Sequence, residues 1–183
     1  DEIAMLTVVR EHFKKVVLLL NVGNIIDMTD INRIAPDAVL YVWQGGMTGG
    51  KGTADVLTGK VSPSGKLPDT IAHKASDYPS DANFGREENR DIYAEDIYVG
   101  YRYFETFAKE KVLYPFGFGL SYTEFEIKTE KAEITEGAVK LSASVKNIGS
   151  YKGKEVIEVY CEAPQGKLGK AARVLCGFEK TRE

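Results

Sequence analysis

Tryptophan occurs once in the 183 residues, and histidine and cysteine twice each. Cys161 and Cys176 have no Cys-x-x-Cys spacing and no histidine nearby, which argues against a zinc site. They read first as two buried free thiols, with facing positions on neighbouring strands as the alternative, and they leave the cellular compartment open. Positive charge is not in excess. With 24 Lys and Arg against 27 Asp and Glu, the net charge of -3 gives no basic footprint, so nucleic acid and anionic membranes are poor partners. Long apolar runs are missing as well: the longest, Val16 to Leu20, is strand-sized, far short of the roughly 20 residues that cross a bilayer. The chain opens on an acidic, helix-like segment rather than on a signal-peptide pattern. It begins at Asp1 without Met and ends on Thr181-Arg182-Glu183 without a capping element, so a fragment of a larger protein is expected.

What remains is an ordinary globular composition, 43% hydrophobic and 28% charged, divided between two periodicities. Met5, Leu6, Val9 and Phe13 recur at helical spacing from Asp1 to Lys15. Val16 to Leu20 is a continuous apolar run, as in a strand buried on both faces. A short helix from Asp30 to Ile34 is stopped by Pro36, and a second buried strand, Ala38 to Trp43, leads into Gln44-Gly45-Gly46-Met47-Thr48-Gly49-Gly50. A helix from about Gly52 to Thr58 ends at Gly59. This order predicts a mostly parallel sheet with helices on its faces, only part of which is present. Lys66 to Ile71 reads as extended, Ala75 to Asp91 as a polar loop, and Tyr93 to Phe107 as a strand-like aromatic stretch.

Beyond Gly119 the period falls to two. Glu124 to Lys131, Val139 to Asn147 and Lys154 to Glu162 alternate apolar and polar residues, with Arg173 to Phe178 as a candidate fourth strand. A sandwich needs about seven strands. The expectation is therefore residues 1–119 as the later part of an α/β domain and residues 120–183 as the start of an antiparallel β-sandwich.

Gly45 to Lys51 fits the opening of a phosphate-binding loop, G-x-x-x-x-G-K, between a strand and a helix. Gly52 stands where a magnesium-binding Ser or Thr is required, however, and no strand ending in Asp is visible. The competing reading is a tight strand-to-helix crossover in which glycines let backbones approach. Carboxylates crowd Glu87, Glu88, Asp91, Glu95 and Asp96, the chemistry glycoside hydrolysis uses in pairs, although a charge run also makes a solvated face. A buried Glu95–Arg102 brace is expected rather than a catalytic acid, and His12 and His73 read as structural. Ligands of open α/β sheets bind at the carboxyl ends of strands. Trp43, Gln44 and Asn21 stand there, an aromatic platform beside two amides that would suit a sugar, with a core-capping role for Trp43 equally compatible.

Four stretches taken together resemble family 3 glycoside hydrolases, the β-glucosidase and β-xylosidase group. They are Val17 to Asn24; Trp43 to Gly50 continuing to Ala54-Asp55-Val56-Leu57-Thr58-Gly59; Pro63 to Thr70; and Tyr93 to Phe104 with Tyr114 to Tyr122. The resemblance implies the later part of that family's α/β sandwich domain followed by its fibronectin type III-like domain. It also implies a retaining exo-glycosidase whose Asp nucleophile comes from a separate (β/α)8 barrel, with the acid/base Glu on a loop just upstream of the segment matching Asp1. On that mapping no catalytic carboxylate, metal or cofactor belongs to this chain. Its substrate contacts would be Trp43, Gln44 and Asn21, its partners a β-linked oligosaccharide or glucoside and the missing barrel. The loop departs from the family wording at Thr48, where Pro is frequent, and near Gly50 and Lys51, where Glu is frequent; Asp96 replaces a commoner Gly. A nucleotide-binding α/β protein and a non-catalytic carbohydrate-binding module are the alternatives. The unfinished sheets predict self-association of the isolated polypeptide.

Overall fold

Asp1 caps the first helix: its carboxylate accepts a hydrogen bond from Ala4 N at 2.8 Å, satisfying one of the free donors of the first turn. The computed structural model describes residues 1–182. Helix α1 (Glu2–His12) turns its Leu6 and Val9 inward and leads to strand β1 (Val17–Leu20). Helix α2 (Thr29–Ile34) stops at Ala35, which adopts left-handed backbone (φ 55) because Pro36 disfavours continued helix before it. Strand β2 (Ala38–Tyr41) pairs in parallel with β1 in the register Val17↔Ala38 to Leu20↔Tyr41. Asp37 anchors the start of that pair, accepting from Val16 N at 2.8 Å and pairing with Arg10 and Lys15. Helix α3 (Gly49–Leu57) follows the glycine-rich loop and begins three residues earlier than expected.

The apolar run of β1 is covered on one face only. Leu20, with Val16 beside it, is buried with Leu6, Met28, Ile31 and Ile71, whereas Val17 is 50% exposed and Leu19 42% exposed. The expectation of burial on both faces therefore does not hold within this chain, because the helices that join this core, α1 and α2, both contribute to the Leu20 side.

Strand β3 is short (Ile71–Ala72) and pairs antiparallel with β4 (Val112–Tyr114), so most of Lys66 to Ile71 is irregular. The segment 75–91 contains two 3-10 turns, Ala75–Asp77 and Pro79–Ala82, before its aperiodic part. The aromatic stretch is not a strand. Tyr101–Phe107 forms helix α4, which drops Phe104 to 1% exposure against Ala72 and Ala108. Two of the motifs meet in space: Leu67 N donates to Phe118 O and Gly117 N to Leu67 O, both at 2.8 Å, while the Ser62 and Ser121 hydroxyls lie 2.9 Å apart.

The alternating segments form two antiparallel hairpins. Strand β5 (Phe125–Thr135) pairs with β6 (Ala138–Asn147) through a turn at Gly137 (φ 81). Strand β7 (Val156–Cys161) pairs with β8 (Val174–Lys180), the fourth strand suspected from sequence. Both cysteines are free and exposed, contrary to the buried expectation: Cys161 is the last residue of β7, and Cys176 lies where the β7–β8 register shifts, so neither faces a core. The second hairpin leans on the first part of the chain through a Lys66–Glu155 ion pair (2.8 Å), Arg173 to Glu105, and Leu175 N donating to the Tyr101 hydroxyl at 2.7 Å.

Candidate functional site at the ends of the parallel strands

In a parallel pair both carboxyl ends emerge on one edge, and the ladder here continues one step beyond the strands, with Val42 N donating to Leu20 O at 2.9 Å. That edge presents Asn21 to Asn24 from β1 and Trp43 to Gly46 from β2. Trp43 lies two residues past the end of its strand, not within it, and takes left-handed backbone (φ 56). For a bulky non-glycine residue this conformation is costly, and it redirects the indole. The ring stays half-buried, 4.6 Å from the ring of Tyr41 at an interplanar angle of 42°.

Tyr41 was not singled out in the sequence, yet it fixes the neighbouring loop. Its hydroxyl accepts from Ile26 N at 3.0 Å and donates to the Asn24 carbonyl at 3.1 Å. Burial pushes the Tyr41 hydroxyl's pKa above its ordinary value of 10.0, so it keeps its proton and its donor role. The only sequence signal was its place at the end of a buried strand. Gln44 is exposed and lies over Gly23, where a Cβ would stand 2.9 Å from Nε2. Asn21 is exposed and its side chain makes no hydrogen bond among the described residues. The three expected contacts thus share one edge: Trp43 packs on Tyr41, Gln44 rests on the β1 loop, and Asn21 is exposed.

The glycine-rich loop is a close crossover. A Cβ on Gly45 would come within 2.7 Å of Gly49 Cα, which is the backbone approach that the glycines permit. Lys51 turns along α3 to pair with Asp55 at 2.7 Å, away from the loop where a phosphate would sit. Among the described residues no group of three His, Cys, Asp or Glu side chains gathers to hold a metal, and no helix is long and apolar enough to cross a membrane.

In the acidic loop Glu87 is engaged by Arg90 in an ion pair. Glu95 sits half-buried in a turn rather than in a strand, and it makes no ion pair among the described residues. Arg102 lies instead over the Tyr101 ring, 5.9 Å from its centroid, so the expected Glu95–Arg102 brace is absent. The brace on this side of the molecule is Glu105 with Arg173. His12 bonds back to Val8 O through Nδ1, at 2.8 Å.

Relatives share this framework. The family model of the glycosyl hydrolase family 3 C-terminal domain matches residues 1–122. A beta-glucosidase of Ruminococcus albus is 66% identical over 181 residues, which cover 99% of this chain and 19% of that protein. Thermostable beta-glucosidase B of Acetivibrio thermocellus is 41% identical over 169 residues, covering 90% of this chain and 22% of that protein. The crystal structure of a beta-glucosidase from Paenibacillus barengoltzii matches with a TM-score of 0.93 and 55% identity, over 99% of this chain and 20% of that one. Beta-glucosidase 3B from Thermotoga neapolitana, in complex with alpha-D-glucose, matches with a TM-score of 0.88 and 39% identity, over 100% of this chain and 26% of that one. The chain thus spans about a fifth to a quarter of the length of these relatives. With its motifs in order and a family match over two thirds of its length, the chain belongs to glycosyl hydrolase family 3.

Proposed function

We propose that this chain is part of a retaining, exo-acting β-glycosidase that hydrolyses the O-glycosidic bonds of β-glucosides or related sugars. Within that enzyme it supplies scaffold and one wall of the substrate pocket. The observation that carries the reading is the 66% identity, along nearly the whole chain, with a protein named as a beta-glucosidase. Trp43, Gln44 and Asn21 are the contacts, because they share the carboxyl edge of the parallel strands, where α/β sheets take ligands. Trp43 offers an apolar ring to the C–H face of a sugar, and the two amides offer paired donors and acceptors to its hydroxyls.

The reaction needs two carboxyl groups about 5–5.5 Å apart, one attacking the anomeric carbon and one protonating the departing oxygen, then activating water. Both are assigned to parts of the enzyme outside this chain: the nucleophile to a (β/α)8 barrel and the acid/base to a loop preceding the segment that begins at Asp1. Residues 1–119 would complete an α/β sandwich domain, and residues 120–183 would begin a fibronectin type III-like domain. The two hairpins support that second assignment, since a sandwich of this kind is assembled from antiparallel strands with alternating faces.

The test uses the complete enzyme. Aryl β-glucoside hydrolysis with retention at the anomeric carbon is expected, and Trp43→Ala should raise KM about tenfold or more with kcat changed less. Absence of β-glucoside hydrolysis rejects the activity; an unchanged KM rejects the assignment of Trp43.

A further inference from the structure

One side chain touches both loops that make the carboxyl edge of the parallel strands. Residues 21–27, which follow β1, take part in no backbone–backbone hydrogen bond among the described residues. Their backbone is fastened instead by the Tyr41 hydroxyl, which accepts from Ile26 N at 3.0 Å and donates to Asn24 O at 3.1 Å. The bond from Ile25 N to Asn24 Oδ1 is local to the loop. A backbone donor and acceptor left without partners cost free energy, so a hydroxyl that satisfies one of each favours one conformation of this loop. The ring of the same tyrosine packs on Trp43, with centroids 4.6 Å apart. Trp43 turns there on left-handed backbone (φ 56), which a bulky residue keeps only where its surroundings over-determine it.

We propose that Tyr41 is the positioning residue of this edge. Through its ring it sets the indole of Trp43, and through its hydroxyl it sets the loop that carries Asn21 and supports Gln44. The role rests on the assignment of Trp43, Gln44 and Asn21 as substrate contacts, and extends it to a residue that itself touches no substrate. Gln44 is included because its amide lies over Gly23, inside the fastened loop, where a Cβ would stand 2.9 Å from Nε2. A sugar is read by an apolar platform and by hydrogen-bonding groups together, so their relative placement matters as much as either one. Such a constellation works when its members are held to within about 0.5 Å by neighbours that are themselves locked. Tyr41 is the residue that contacts both sets.

Tyr41 is itself well fixed. It is the last residue of β2, opposite Leu20 in the parallel ladder, and it packs against the core that holds Leu6, Leu20 and Ile31. Burial raises its pKa above the ordinary 10.0, so across the neutral range the hydroxyl keeps the proton that it donates to Asn24 O. With both loops set before substrate arrives, less ordering is lost on binding.

The test is a set of variants of the complete enzyme, read as kcat and KM for an aryl β-glucoside. Tyr41→Phe keeps the ring and removes the hydroxyl, whereas Tyr41→Leu removes both. KM should rise about threefold in Tyr41→Phe and about tenfold in Tyr41→Leu, with kcat changed less than about twofold, the pattern of lost binding rather than lost chemistry. The same two substitutions are then made beside Trp43→Ala. There the step from Phe to Leu should disappear, because the ring acts through the indole, while the step from Tyr to Phe should remain. A merely structural tyrosine would not show this dependence on Trp43. If Trp43→Ala raises KM and neither Tyr41 variant does, the positioning role alone is overturned. If Trp43→Ala leaves KM unchanged, the contact assignment fails and the role falls with it. Equal KM values in Tyr41→Phe and Tyr41→Leu, or a Phe-to-Leu step undiminished beside Trp43→Ala, also overturn the role.

Discussion

The side chain of Gln44 rests on the bare backbone of Gly23, so the loops after β1 and β2 touch at a point where no Cβ fits: one built on Gly23 would lie 2.9 Å from Gln44 Nε2. Gly23 does not have the positive φ that would exclude alanine, so the restriction is one of space alone. In the complete enzyme Gly23→Ala is expected to displace the Gln44 amide at a stability cost within about 1 kcal/mol, because the end of a flexible side chain moves readily. KM for an aryl β-glucoside should rise several-fold with kcat changed less. An unchanged KM would show that Gln44 does not touch the substrate.

Asp37 should shape the acid limb of stability. The backbone N–H of Val16, then the ammonium of Lys15 and the guanidinium of Arg10, hold its carboxyl at about 2 against an ordinary 3.8. A depressed folded-state value means a contribution that is fully present above the unfolded value and lost as pH falls through the folded one. The melting-temperature gap between the parent enzyme and Asp37→Asn should therefore be constant above about pH 4 and shrink between pH 4 and 2. A gap that stays constant to pH 2 would show that the carboxylate does not carry the effect.

The glycine-rich loop should not bind ATP. Gly52 brings no hydroxyl for magnesium, and Lys51 is engaged by Asp55 along α3. Calorimetry should show no saturable ATP binding in the micromolar range, and Lys51→Ala should change nothing. Micromolar binding that disappears in Lys51→Ala would restore the nucleotide reading.

The isolated polypeptide should neither hydrolyse aryl β-glucosides nor behave as a well-ordered monomer. Both assigned catalytic carboxylates lie outside it, and without them most of an acceleration of about 10⁶-fold or more is lost. Its sheets are left half covered: Val17, Leu19, Ile127, Leu141 and Phe178 are all exposed. Apolar faces and open strand edges favour association. Light scattering after size exclusion should report oligomers. A monodisperse monomer with one cooperative melt, or turnover above buffer in glycosidase-free protein, would contradict this account.

Local order was legible where a residue's role depends on its near neighbours. The helical spacing of Leu6 and Val9, the apolar runs of β1 and β2, the stop at Pro36 and the alternation of β5 to β8 all appear in the structure within a few residues of their expected positions. The family is carried by such stretches too, since motif order survives without knowledge of contacts. The Tyr93–Phe107 stretch was misread because aromatics favour strands by propensity, whereas burial of Phe104 against Ala72 and Ala108 selects a helix for Tyr101–Phe107.

The tertiary structure alone decided which distant groups meet. Tyr41 bonds the Asn24–Ile26 loop, Gln44 lies over Gly23, and Glu105 takes Arg173 where a nearer Glu95–Arg102 pair was expected. It also placed both cysteines at the surface and left the Thr70 hydroxyl buried without a partner among the described residues. None of these follows from composition or periodicity. A periodic pattern specifies which face of an element turns inward, while the partner waiting on that side is set by how the elements pack, and most of these pairs join residues on different elements.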